Sequence, residues 1–219
     1  MNIIVQWMTD FLKLLYGLTS LVGIANYGVA IILLTVIIKT IIFPLTWKQM
    51  KSMRKTVEIQ PMVKELQKKY KNDPQKLNAE TMELYKKHSV NPAGGCLPIV
   101  IQLPIFWALY STLFNFGNYI ADPSQAYFLW FNLTLKDPYY VLAILAAATT
   151  FLQTKITSPN GTTDPTQKTM LYIMPVFMGY ISSTVPAGLA LYWVTMNIVS
   201  VLQQLYINRR LDREKAQAA

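Results

Sequence analysis

Residues 27–47, YGVAIILLTVIIKTIIFPLTW, decide the fold class. The stretch is apolar enough to cross a bilayer as a helix, yet it carries one cation, Lys39, well inside its hydrophobic part. At about 1.5 Å of rise per residue, the step from Thr46 back to Lys39 sets that turn about 10 Å inside a hydrocarbon core of about 30 Å. A lysine at the centre of a spanning helix costs about 3 kcal/mol on insertion scales. Two readings compete. The four-carbon stem can carry the ammonium back to the nearer headgroups, or the ammonium faces a polar cavity. On a helical wheel Gly28, Thr35, Lys39 and Thr46 share one narrow stripe, and the other faces are Ile, Leu, Val and Phe. That favours the cavity and sends the search for its other walls along the chain.

Over 219 residues, 53% are hydrophobic and 14% charged. This is the composition of an all-α polytopic membrane protein, with room for about five transmembrane helices. The single cysteine, Cys96, has no partner for a disulfide and no metal-ligating neighbour, so it reads as a small packing residue. No metal site and no cofactor are expected.

Residues 1–22 read as an amphipathic interfacial helix, with Ile4, Trp7, Met8, Phe11, Leu14, Leu15 and Leu18 on one side. A secretory signal is the rival, but the start has no basic region and Asp10 and Lys13 interrupt its apolar run. Span one is 23–47, closed by Pro44 and Thr46. Residues 48–91 then change character, with eleven Lys and Arg against five Asp and Glu. Their apolar stripes, Ile59, Met62, Val63, Leu66 and Tyr70, then Leu77, Thr81, Leu84 and Tyr85, predict a helical hairpin broken at Asn72-Asp73-Pro74, with Asp73 as N-cap. Its charges either solvate an exposed surface or touch anionic lipid, RNA or a partner. Lys64, Lys68, Lys69, Lys86 and Lys87 are the expected recruitment residues, and His88 reads as polar surface.

Span two is 92–118, kinked at Pro98 and Pro104 and carrying Gln102. Residues 119–137 form a loop with Phe128, Trp130 and Phe131. Span three, 138–157, has a polar stripe of Thr149, Thr150, Gln153 and Thr157, continued by Ala146, before a turn at 158–167. Span four, 168–184, carries Met170, Met174 and Met178 as a ridge that serves packing or a pliant sulfur-rich face. Span five, 187–207, aligns Trp193, Asn197, Ser200 and Gln204, and 208–219 is a basic tail.

The positive-inside rule puts 48–91 and the tail in the cytoplasm, hence the N-terminus outside and the C-terminus inside, with the hairpin between spans one and two. Lys39, Thr35, Gln102, Thr150, Gln153, Trp193, Asn197, Ser200 and Gln204 are the candidate lining of a pocket open inward, with most of its polar members toward the cytoplasmic ends of the spans. Each polar residue could also be an ordinary interhelical hydrogen bond, worth about 0.6 kcal/mol. None of the eleven acids falls in a span. The cation therefore has no intramembrane counter-ion, ion-coupled transport has no carboxylate, and a hydrolase has no acid, base or metal to work with. Catalysis is not expected.

The runs NPAGGCLPIVIQLPIFWALY, FPLTWKQMKSMRKTVEIQPMVKELQKKY and PAGLALYWVTMNIVSVLQQLYI resemble the YidC family of membrane protein insertases, from about Tyr27 to Arg210. The resemblance implies a bacterial plasma-membrane, multi-pass protein, here a short form without a large periplasmic domain, a long basic tail or a cleaved lipoprotein signal. It implies a monomer with a hydrophilic groove that moves short hydrophilic segments of nascent membrane proteins across the bilayer, with anionic lipids, the ribosome and the Sec translocon as partners. The family's bacterial pattern has arginine where this chain has Lys39, a compact ammonium in place of a wide donor fork. From the residues alone, two rivals remain: an anion or lipid-headgroup transporter, and a ribosome-docking protein.

Overall fold

The computed structural model describes residues 3–88, 90, 97–115, 123–157 and 165–218. Residues 91–96 with Cys96, 119–122 of the loop and 158–164 of the turn lie outside the described residues. Seven α-helices occur among the described residues: α1 Ile3–Leu21, α2 Tyr27–Lys69, α3 Pro74–Lys87, α4 Leu97–Phe114, α5 Val141–Thr157, α6 Pro165–Thr184 and α7 Ala187–Ala218. Between α4 and α5, a short 3-10 turn leads into two antiparallel two-residue strands, β1 Tyr127–Phe128 and β2 Phe131–Asn132. The helical fold class expected from the sequence holds.

The chain forms two compact units, one of Met1–Ile42 with Leu103–Tyr206 and one of Phe43–Gln102 with Ile207–Ala219. The first holds the main core. Ala30, Ile31 and Leu34 of α2 meet Leu109 and Leu113 of α4, Leu142 of α5, Leu189 and Ala190 of α7, and Leu12 and Leu15 of α1. Small residues bring α5 and α6 together: a Cβ on Gly179 would lie 3.1 Å from the Ala147 Cβ and 3.2 Å from the Ala143 carbonyl.

Helix α1 differs from its sequence reading in which face it buries. Val5, Thr9, Leu12, Leu15 and Thr19 are buried, and the Thr9 hydroxyl meets that of Thr112 on α4 at 3.3 Å. Ile4, Trp7, Leu14 and Leu18, expected to share one face with Leu15, are exposed. Both sides of the helix are apolar, so periodicity alone could not choose the one that meets protein.

Helix α2 is longer than expected. Among the described residues it alone is long and apolar enough to cross a membrane, but it does not stop at Pro44 and Thr46; it runs unbroken through Pro44 and Pro61 to Lys69. Proline removes one helical N–H, a loss that neighbouring contacts can offset. In the second unit such contacts exist. Met50, with Phe43, Trp47 and Met53, packs on Ile207 and Leu211 of α7. Arg54 Nη1 pairs with Asp212 Oδ1 at 2.7 Å, and its Nη2 donates to the Asn208 backbone and side-chain oxygens at 3.2 and 3.1 Å. The expected separate tail is accordingly the continuation of α7 through residue 218. Asp73 caps α3 as expected, accepting from the Lys76 N–H at 3.0 Å. Of the predicted stripe on this part of α2, Ile59 and Val63 are buried, but Met62 is exposed.

In the first unit residues 123–140, ahead of α5, form a fitted lid over helix ends. Phe131 and Leu133 are almost wholly buried, and the Leu135 and Leu133 carbonyls accept from the Ala187 and Gly188 N–H groups at 2.7 and 2.9 Å. These donors open α7 and would otherwise be orphans. Asn26 caps α2 by accepting from the Gly28 N–H at 2.7 Å, and its Nδ2 donates to the Tyr127 carbonyl at 3.0 Å. Phe128 lies so close over Gly28 that a Cβ there would overlap its ring. Gly28 therefore leaves the polar stripe that the wheel assigned it: it is an approach point for the lid.

Candidate functional site around Lys39

Helix α7 is the element on which the site is assembled. Near its start, the Trp193 ring meets Phe106 of α4 edge-on, with centroids 5.7 Å apart at 82°. One turn on, Asn197 is 1% exposed, and its Nδ2 donates to Thr150 Oγ1 at 2.9 Å and Thr149 Oγ1 at 3.1 Å on α5. Further along, Gln203 Nε2 donates to the Lys39 carbonyl of α2 at 3.0 Å. One helix thus touches α4, α5 and α2 in turn, over about 15 Å at helical rise.

Lys39 itself is half-buried. Among the described residues no carboxylate lies within ion-pair range of it. One turn earlier, Thr35 is buried and gives its hydroxyl to the Ile31 carbonyl at 2.7 Å, a bond inside its own helix. The expected residues thus fall into distinct situations. Thr150 and Asn197 are spent on joining α5 to α7. Ser200 turns its hydroxyl back on the Met196 carbonyl at 2.7 Å. Gln204 is buried, and Gln153 is half-buried beside Thr157, whose hydroxyl donates to the Gln153 carbonyl at 2.8 Å. Ala146, which was to continue the stripe, is fully buried packing. Gln102 belongs to the other unit.

Two residues that the sequence reading passed over matter here. Gln203 lies one position off the stripe traced through Trp193, Asn197, Ser200 and Gln204, yet it is the one that reaches Lys39. Its Oε1 is buried without a hydrogen-bond partner, one of two such side-chain atoms among the described residues, with Gln49 Nε2. Because Nε2 faces a carbonyl, which only accepts, the orientation of the amide is determined. An orphaned acceptor of this kind costs about 1–3 kcal/mol. The second is Asp137, 4% exposed, whose Oδ2 accepts from the Leu142 N–H at 2.7 Å and whose Oδ1 accepts from Trp130 Nε1 at 3.1 Å and the Tyr139 N–H at 3.2 Å. It caps α5 and ties the lid down. An Asp-Pro pair before an apolar run is the signal that marked it in the sequence.

The model of the 60Kd inner membrane protein family matches residues 17–215. Relatives named membrane protein insertase YidC include one from Wolinella succinogenes, 47% identical over 89% of this chain and 36% of the relative. Another, from Fusobacterium nucleatum, is 44% identical over 96% of this chain and 99% of the relative. The chain thus spans about a third of the first relative and nearly all of the second. A crystal structure of an active YidC insertase with its first transmembrane domain resolved superposes with a TM-score of 0.72 at 30% identity, covering 91% of this chain and 45% of that one. With this match along most of its length and a shared helical fold, the chain belongs to the 60Kd inner membrane protein family, the family of the YidC insertases.

Proposed function

We propose that the chain is a membrane protein insertase, a five-span protein of the bacterial plasma membrane with its N-terminus outside and its C-terminus, hairpin and basic surfaces inside. A hydrophilic segment crossing the full hydrocarbon core leaves every backbone polar group unsatisfied along the way. A wet groove reaching part-way from the cytoplasm shortens that dry path. Lys39 attracts acidic residues of the substrate, and the amides of Gln153 on α5 and Gln204 on α7 serve its backbone in passing. The apolar segment then partitions to lipid, which supplies the driving force. Exposed Ile144, Leu145 and Leu152 on α5 and Ile198 and Leu202 on α7 are suited to that exit.

The observation that carries this reading is a half-buried lysine on the apolar helix α2, its backbone carbonyl bonded by Gln203 of α7 and its charge without a carboxylate in range, in a chain of this family. The lid supports closure at the other end. Purified protein in liposomes should make the hydrophilic tail of a single-span test protein protease-resistant, where empty liposomes do not. Flux of a small anion through the same liposomes, with no tail protected, would overturn the proposal and leave a transporter.

A further inference from the structure

We propose that Gln203 is a substrate-binding residue of this site, its Oε1 accepting backbone N–H groups of the hydrophilic segment as it passes Lys39. The inference rests on the insertase reading above and names a group that this reading did not use. Two observations meet at this side chain. Its Nε2 is anchored on the Lys39 backbone at 3.0 Å, which places the amide beside the turn that carries the cation. Its Oε1 is buried and unpaired.

Natural proteins seldom leave a buried acceptor empty, and where they do the group commonly awaits a partner. The partner must be a donor, since Oε1 accepts only. Lys39, on the adjoining turn, is itself a donor and would draw acidic side chains. A polypeptide segment brings both acidic side chains and a file of backbone N–H groups. The two residues then divide the work: Lys39 reads charge, and Gln203 serves the backbone whatever its sequence. Reaching the incoming chain requires the glutamine to turn on its side-chain torsions and release the Lys39 carbonyl. That release leaves the Lys39 carbonyl satisfied, because it also serves the N–H four residues on, and it frees Nε2 to donate to a carbonyl of the same incoming backbone.

Gln203→Met tests the assignment, because methionine keeps the volume and removes both amide groups. Burying the orphaned acceptor costs more than the single bond from Nε2 contributes, so removing both should leave the thermal midpoint of the purified protein unchanged or higher. Insertion in liposomes should slow about fivefold to tenfold, the factor carried by one hydrogen bond, and equally for acidic-tailed and neutral-tailed substrates. Unchanged insertion by the variant overturns the proposal. A lowered thermal midpoint also overturns it, since the amide would then be a brace between α2 and α7. If the parent protein inserts nothing, the insertase reading has failed, and that outcome is distinct from either.

Discussion

Asn197 Nδ2 stands 2.9 Å from Thr150 Oγ1, so that an amide 1% exposed on α7 is satisfied by a hydroxyl on α5. Thr149 takes the second amide hydrogen at 3.1 Å. Interhelical hydrogen bonds in membrane proteins contribute about 0.6 kcal/mol each, and leaving a partner buried and unpaired adds to the loss. Asn197→Leu should therefore destabilise the protein by about 1–2 kcal/mol. Thermal unfolding in detergent reads this, and an unchanged midpoint would mean that Asn197 serves the groove and not the helix pair.

Gly28 is required by Phe128. A methyl group at residue 28 overlaps the ring, and overpacking of this kind costs about 1–3 kcal/mol. Gly28→Ala should lower the thermal midpoint, and adding Phe128→Ala should recover part of the loss, because the ring is the obstacle. Loss without any recovery in the double variant would place the cost elsewhere on α2.

Asp137 holds three donors with two oxygens. Asp137→Ala removes the α5 cap and orphans the Trp130 indole, for a combined loss of about 2–3 kcal/mol. Trp130 emission should shift to longer wavelength as the lid loosens. The four other tryptophans make the comparison with Trp130→Phe necessary, and a shift that persists in that background would rule out the lid as its source.

Lys39 should act by charge. Lys39→Arg should insert an acidic-tailed substrate about as well as the parent, whereas Lys39→Gln should slow it by at least about tenfold, the weight of one charge contact of about 1.4 kcal/mol. Neutral-tailed substrates should respond little to either change. Equal insertion of both substrates by the Gln variant would make the cation a snorkelling bystander.

Orientation can be tested at Lys76 on α3. A cysteine there should resist an impermeant thiol reagent applied to intact cells, and one at Leu135, an exposed residue of the lid, should label, both in a Cys96→Ala background. Labelling at 76 from outside would invert the topology and with it the direction in which the groove opens.

Several of these features were legible before any fold was known. The 3.6-residue rhythm of apolar side chains located the helices, because burying a helix in lipid or protein demands such a face. Asp73-Pro74 announced the start of α3, since the cap and the proline act within one turn. Lys39 stood out because an ammonium among isoleucines has an energetic cost whatever surrounds it.

Tertiary structure alone decided which polar groups meet. Gln203 reaches Lys39 and Gln204 does not, because a difference of one residue is 100° on a helix, and only the packed neighbour says which direction is occupied. Gly28 belongs to the lid because Phe128, a hundred residues later in the chain, arrives above it. Helix α1 has two apolar sides, and α2 runs on through Pro44 so that Met50 packs on Ile207 and Leu211, residues distant in sequence. Local preferences depend on a few adjacent residues and can be read from them; the pairing of Asn197 with Thr150, 47 positions apart, depends on how whole helices pack, which no local pattern contains.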